Sequence, residues 1–178
     1  NNGQTWTWIL NHFYNPFSTF ICAGTSAPSN DNCSSATSLT SNTSCVNTQG
    51  DVDGATASGL AQPSCDAFSS PALLDVWYQF TASETSHTIT VSSSASFDAV
   101  VALYTSCSSG EIGCADAGGL GATETINATS LTIGNTYYIR VYDYGSIAPT
   151  TTTFDICVTH VVCTPPGTVT VSGGGTYC

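Results

Sequence analysis

The sequence predicts an all-β fold: a jelly-roll-like antiparallel β-sandwich, stabilised by disulfides and carrying extended N- and C-terminal arms. Three observations predict it. Apolar residues alternate with period two in short segments spaced by about ten residues. No segment shows helical periodicity. Nine cysteines in 178 residues point to an oxidising compartment and a disulfide framework.

Taken in order, Leu74 to Thr81 sets Val76, Tyr78 and Phe80 on one face, and His87 to Val91 does the same with Ile89 and Val91. Ala99 to Tyr104 is a continuous apolar run, the pattern of a central strand. Tyr137, Ile139 and Val141 alternate against Tyr138, Arg140 and Tyr142. Phe154, Ile156 and Val158 face away from Asp155, Cys157 and Thr159. Ser92–Ser94, Gly118–Gly121 and Gly145–Pro149 have loop chemistry. The sandwich is expected over residues 30–162, after an aromatic arm over 1–29. Residues 163–178 read as a Pro-Pro-Gly linker followed by a strand, Thr168–Ser172, leading to a neighbouring module or subunit.

Charge narrows the function. Only 7% of residues are charged, against about 25% in an average globular domain, and Ser and Thr take their place. Twelve acids face a single cation, Arg140, for a net charge of −11. Nucleic acid and anionic membrane surfaces both demand Lys and Arg, so neither is an expected partner. A divalent cation such as calcium is permitted, and no other cofactor is expected. No stretch approaches the ~20 apolar residues of a membrane span. The chain contains no Met, and Asn1-Asn2-Gly3-Gln4 is not the start of a signal peptide. It therefore reads as a processed secreted or cell-surface protein, or as a segment of a longer one.

Four motifs occur in order: Asn30-Asp31-Asn32-Cys33, Asp75-Val76-Trp77-Tyr78-Gln79-Phe80, Phe97-Asp98-Ala99-Val100-Val101-Ala102-Leu103-Tyr104, and Thr136-Tyr137-Tyr138-Ile139-Arg140-Val141-Tyr142. Together they resemble the pre-peptidase C-terminal (PPC)-like β-sandwich domains of secreted and surface proteins of the Bacteroidetes type, over roughly Asn30 to Cys163. The segment after Cys163 resembles the opening of an Ig-like or PKD-like adhesin repeat. The resemblance implies a jelly-roll-like sandwich serving as a non-catalytic accessory or adhesive module.

Candidate functional residues fall into three groups. Trp6 and Trp8 would lie on one face of a strand, with Phe13, Tyr14 and Phe17 following; this arm either packs on its own domain, adds to a neighbour's sheet, or stacks on sugars. Asp51 and Asp53 flank a turn in a pattern that suits either calcium or a solvated turn. Asp98, Asp116 and Asp143 are of the same kind, and Arg140 is expected to pair with one of these acids across the sheet. Asn42 and Asn127 match the N-glycosylation acceptor pattern, as does Asn32 less well; in a Ser/Thr/Asn-rich chain the pattern arises often by chance, and a bacterial source lacks the usual machinery.

Cysteine spacing suggests Cys107–Cys114 closing a loop, Cys45–Cys65 bracketing the Asp51–Gly54 turn, and Cys33–Cys157 tying the first strand to the last. Cys22, Cys163 and Cys178 are left over. No CxxC or zinc spacing is present, and His12, His87 and His160 are scattered. GxSxG, HExxH and phosphate-loop patterns are absent, and Glu84, Glu111 and Glu124 stand too far apart for a carboxylate pair. The chain is expected not to be an enzyme. Two readings remain: a structural or adhesive subunit that assembles with copies of itself or neighbouring modules by strand exchange, and an accessory domain of a secreted enzyme that binds substrate or glycans.

Overall fold

A computed structural model describes residues 26–67, 72, 74–145 and 148–162. The aromatic arm with Trp6, Trp8, Phe13, Tyr14 and Phe17, the strand expected at Thr168–Ser172, and Cys22, Cys163 and Cys178 lie outside the described residues.

The described chain is all-β. After a single 3-10 turn at Cys33–Ser35 come β1 (Thr37–Ser38), β2 (Ser41–Asn42), β3 (Thr48–Asp51), β4 (Asp75–Thr81), β5 (His87–Ser93), β6 (Ala99–Ser106), β7 (Ser109–Ala115), β8 (Thr123–Ala128), β9 (Thr136–Asp143) and β10 (Thr153–His160). They form two sheets, β1-β4-β9-β6-β7 and β2-β10-β5-β8, with β3 also paired to β10. All neighbours are antiparallel except β1 on β4 and β2 on β10. The four alternating segments and the apolar run at Ala99–Tyr104 are all present as strands. Ser92 and Ser93, expected in a loop, extend β5 and pair with β10.

Alternation sets the core. Val76, Tyr78 and Phe80 of β4 meet Ile89 and Val91 of β5, with Val101 and Leu103 of β6, Ile139 and Val141 of β9, and Phe154, Ile156 and Val158 of β10. Gly50 on β3 lies where any Cβ would collide with the Tyr78 hydroxyl and the Phe154 ring.

The opposite face of the first sheet is also buried, which accounts for the unbroken apolar run of β6. Trp77, Ala102 and Tyr104 pack with Ala36, Cys33, Leu60 and Cys114. Val100 and Tyr142 pack with Ala72 and Cys65. The long connection between β3 and β4 thus crosses this face. Asn30 caps the edge of β4 as a strand would: its carbonyl accepts from the Trp77 amide (2.9 Å), and its side chain donates to the Trp77 carbonyl (3.0 Å). Asp31 accepts from the Thr56 amide and hydroxyl, tying the start of the module to the same connection.

Three disulfides hold the described residues, in a different pairing from the one spacing suggests: Cys33–Cys107, Cys45–Cys157 and Cys65–Cys114. Cys107–Cys114 fails for a geometric reason. Cys114 lies opposite Ala102 in the β6–β7 hairpin while Cys107 sits at its tip, so extended-strand rise separates them by about 15 Å, beyond disulfide reach. Cys33 belongs to the 3-10 turn rather than to a first strand, and pins that turn to the hairpin tip. Cys65 fixes the crossing connection to β7, and Cys45 reaches the outward-facing Cys157 of β10 instead of Cys65.

Arg140 does pair with an acid across the sheet, but with Asp75 rather than with Asp98, Asp116 or Asp143. Arg140 lies on the covered outer face, opposite Trp77 of β4, and its Nε donates to Asp75 Oδ2 at 2.6 Å. Asp143, an odd number of residues away on the same strand, points to the other face.

Candidate functional site

The short strands β1 and β2 create a cleft. Ser38 pairs with Gln79 of the first sheet; three residues later the chain has crossed to the second, where Ser41 pairs with Val158. Leu39 spans the gap. Its amide donates to the Gln79 carbonyl (2.8 Å) and its side chain is buried in the core. Outside this crossing lies a cleft of about 330 Å³ lined by Ser38, Thr40, Ser41, Gln79, Ser83 and Thr136, with buried Phe80 among its walls. No charged side chain lines it. Gln79 Nε2 donates to Ser38 Oγ at 3.1 Å, holding the amide across the opening.

Two cleft hydroxyls are backed by histidines. His87 and His160 lie directly opposite each other on β5 and β10, ring centroids 5.6 Å apart, at the end of the sandwich. His87 is 2% exposed and packs on Phe80. Ser41 Oγ lies 2.8 Å from His160 Nδ1. Ser83 Oγ lies 3.3 Å from His87 Nε2 and 3.4 Å from His160 Nδ1. Burial first, then His160, lowers the His87 pKa, with Glu84 opposing.

The acids gather elsewhere. Glu124, buried, accepts from the amides of Ala117 (2.9 Å) and Gly118 (2.6 Å), and Asp143 accepts from the Asp98 amide (2.8 Å). Burial raises the pKa of Asp98 and of Asp143. Asp116 is pushed up to about 6, by burial first and then by Asp98, Asp66 and Glu124. The folded state therefore holds a proton on Asp116 between roughly pH 6 and 4 that the unfolded chain has released. This group's contribution to stability is full below about pH 4 and lost as pH rises through 6. Asp116→Asn is expected to stabilise the module by about 1 kcal/mol at pH 7.5, a figure reduced for partial exposure, and by nothing at pH 4. Urea titrations at the two pH values read this difference, and an equal gain at both would contradict it.

The structure separates the residues singled out from sequence. Asp51 and Asp53 are exposed, and Asp51 Oδ1 accepts from the Asp53 amide at 2.8 Å, closing a local turn. Among the described residues no group of three or more His, Cys, Asp or Glu side chains could hold a metal ion. Asn42 is half-buried on β2 and donates to the Thr40 carbonyl. Asn127 is exposed on β8 and accepts from the Thr88 hydroxyl. Sequence reasoning missed Ser38, Ser41, Gln79 and Ser83, as well as the pairing of His87 with His160. Alternation puts each histidine on the inward face of its strand; nothing in the sequence says that β5 and β10 are neighbours.

Comparison with known proteins adds two findings. A family described as galactose binding domain-like, T9SS-associated, matches residues 29–156, within the stretch whose motifs resemble secreted β-sandwich modules. The chain is similar to the pre-peptidase C-terminal domain of a collagenase from Bacillus anthracis, at 15% identity and a TM-score of 0.42, over 69% of this chain and 93% of that one. No curated protein matches.

Proposed function

The chain belongs to the galactose-binding-domain-like, T9SS-associated family, and from that membership we propose that it is a non-catalytic accessory module of a secreted protein that holds neutral carbohydrate in the cleft beside the β1–β2 crossing. The observation that carries the reading is the chemistry of the cleft. Its polar lining consists of hydroxyls and one carboxamide, with no ionised group. Such a surface meets the alternating donors and acceptors of a sugar and offers no positive charge to a phosphate or carboxylate ligand. Its volume falls in the range of small-ligand sites. The single cation of the chain is buried under the β3–β4 connection, which removes the usual means of binding anions. Three disulfides suit a secreted setting. Among the described residues no helix is long and apolar enough to cross a membrane. Assembly by exchange of the terminal arms rests on segments outside the described residues, and no feature of the described sheets favours it over binding.

Gln79 is the critical residue of this reading, because a carboxamide can donate and accept at once. A galacto-oligosaccharide, tested within an array of neutral glycans, is expected to bind the native module. Gln79→Ala should weaken that binding about tenfold, the loss of one or two hydrogen bonds. No binding to any neutral glycan, or full binding by the variant, would overturn the assignment.

A further inference from the structure

We propose that His87 and His160 are positioning residues that set the hydrogen-bonding polarity of the cleft hydroxyls Ser41 and Ser83, so that the cleft presents acceptors to its sugar. The inference rests on the carbohydrate reading of the cleft and adds how that site is tuned.

The geometry fixes the state of His87. The Ser83 backbone amide points at His87 Nε2 from 3.4 Å. An amide can only donate, so Nε2 is the accepting nitrogen and the ring proton sits on Nδ1. Nδ1 is buried and has no hydrogen-bond partner among the described residues. A proton added at Nε2 would set one N–H against another and expel the Ser83 amide from its place beside the cleft. The groups whose charge reaches His87 are His160, which opposes a second positive charge, and Glu84, which favours one. Phe80, packed on its ring, and Ala128, opposite it on β8, carry none.

His160 acts on the hydroxyls directly. Both Ser41 Oγ (2.8 Å) and Ser83 Oγ (3.4 Å) approach its Nδ1. While Nδ1 accepts, the Ser41 proton points inward and the oxygen lone pairs face the cleft, ready for sugar O–H donors. A proton on Nδ1 would instead donate to Ser41, taking one lone pair and turning the serine proton outward, so the cleft face would donate through that proton and accept only through the remaining lone pair. Both hydroxyls belong to the cleft lining, so the state of one ring nitrogen bears on two of its contacts.

Long-range ¹H–¹⁵N spectra of the histidine rings, recorded on the free protein at pH 7.5, should give the Nδ1–H tautomer for His87 and an unprotonated Nδ1 for His160. At pH 7.5 galacto-oligosaccharide affinity should fall about tenfold in His160→Phe, which cannot accept from Ser41, and by less than twofold in His160→Asn, whose carboxamide oxygen can. A protonated His160 Nδ1 at pH 7.5, or equal affinity of the native module and His160→Phe, overturns the inference. If the oligosaccharide fails to bind at pH 7.5, the carbohydrate reading falls, and the ring spectra alone decide whether the histidines set the hydroxyl polarity.

Discussion

Asp75→Ala should destabilise the module by about 3–5 kcal/mol, because it leaves the Arg140 guanidinium buried without its counter-charge. Asp75 is 0% exposed and Arg140 1%, so water cannot replace the lost partner. The pair also organises the connection laid over it. Arg140 Nη1 donates to the Ala61 carbonyl (3.1 Å) and reaches that of Leu60 at 3.5 Å. Asp75 accepts from the Ser58 amide (3.0 Å) and hydroxyl (2.6 Å), and the guanidinium stacks over Tyr142 at 4.8 Å from its centroid. One ion pair therefore replaces the hydrogen bonds that residues 58–61, which form no strand, cannot make to a neighbouring one. The joint replacement Asp75→Leu with Arg140→Met should recover most of the loss, since apolar substitutes for a buried pair are often neutral or better. Urea denaturation of the two variants makes the comparison. A single variant within 1 kcal/mol of the native module would mean that Arg140 is solvated and that the connection does not cover it.

The second large effect concerns the disulfide that closes the longest loop among the described residues. Cys45 and Cys157 are 112 residues apart in sequence, with Cα atoms 5.5 Å apart in the fold. On the chain-entropy account, a loop of that length is worth about 4–5 kcal/mol. The double replacement Cys45→Ala with Cys157→Ala should lower stability by roughly that amount. Removing Cys65–Cys114, which spans 49 residues, should cost slightly less by the same account. Peptide mapping under non-reducing conditions is the direct check on the pairing, and needs pepsin or chymotrypsin because the chain has one Arg and no Lys. The expected linked peptides join Cys33 to Cys107, Cys45 to Cys157 and Cys65 to Cys114. A peptide joining Cys107 to Cys114 would contradict the fold, since it would require the β6–β7 hairpin to be unpaired.

What the sequence made legible follows from where side chains meet the core. β4, β5, β9 and β10 carry large apolar residues on their inward faces and announce themselves by period two, and β6 by its unbroken apolar run. β7, Ser109–Ala115, and β8, Thr123–Ala128, do not: the inward positions of β7 include Gly113 and Ala115, and those of β8 are Glu124, Ile126 and Ala128, so small or charged residues interrupt the apolar alternation. Trp77, Tyr104 and Arg140 lie on the face that alternation reads as outward, and the 3-10 turn together with the β3–β4 connection crossing above makes that face a second core. The same connection misdirects the cysteine reading. Short sequence spacing favours local bridges, whereas a segment laid across a sheet brings Cys65 to Cys114 over its surface.

The candidate site was harder to read for a compositional reason. In a chain so rich in Ser and Thr, the hydroxyls of Ser38, Ser41 and Ser83 carry no local signal, whereas the aromatic arm around Trp6 and Trp8 stands out. A cleft made at the point where the chain passes from one sheet to the other depends on strand pairing, which periodicity does not encode. His87 and His160 illustrate the point: separated widely in sequence, they become neighbours only because β5 pairs with β10.

The central claim, that the cleft beside the β1–β2 crossing holds neutral carbohydrate, is most directly tested by chemical-shift mapping of the ¹⁵N-labelled protein titrated with galacto-oligosaccharide. The account predicts saturable shifts centred on Ser38 to Ser41, Gln79 to Ser83 and Thr136, with the acidic residues around Asp116 unmoved. Saturable shifts centred elsewhere, or none at millimolar ligand, would contradict it.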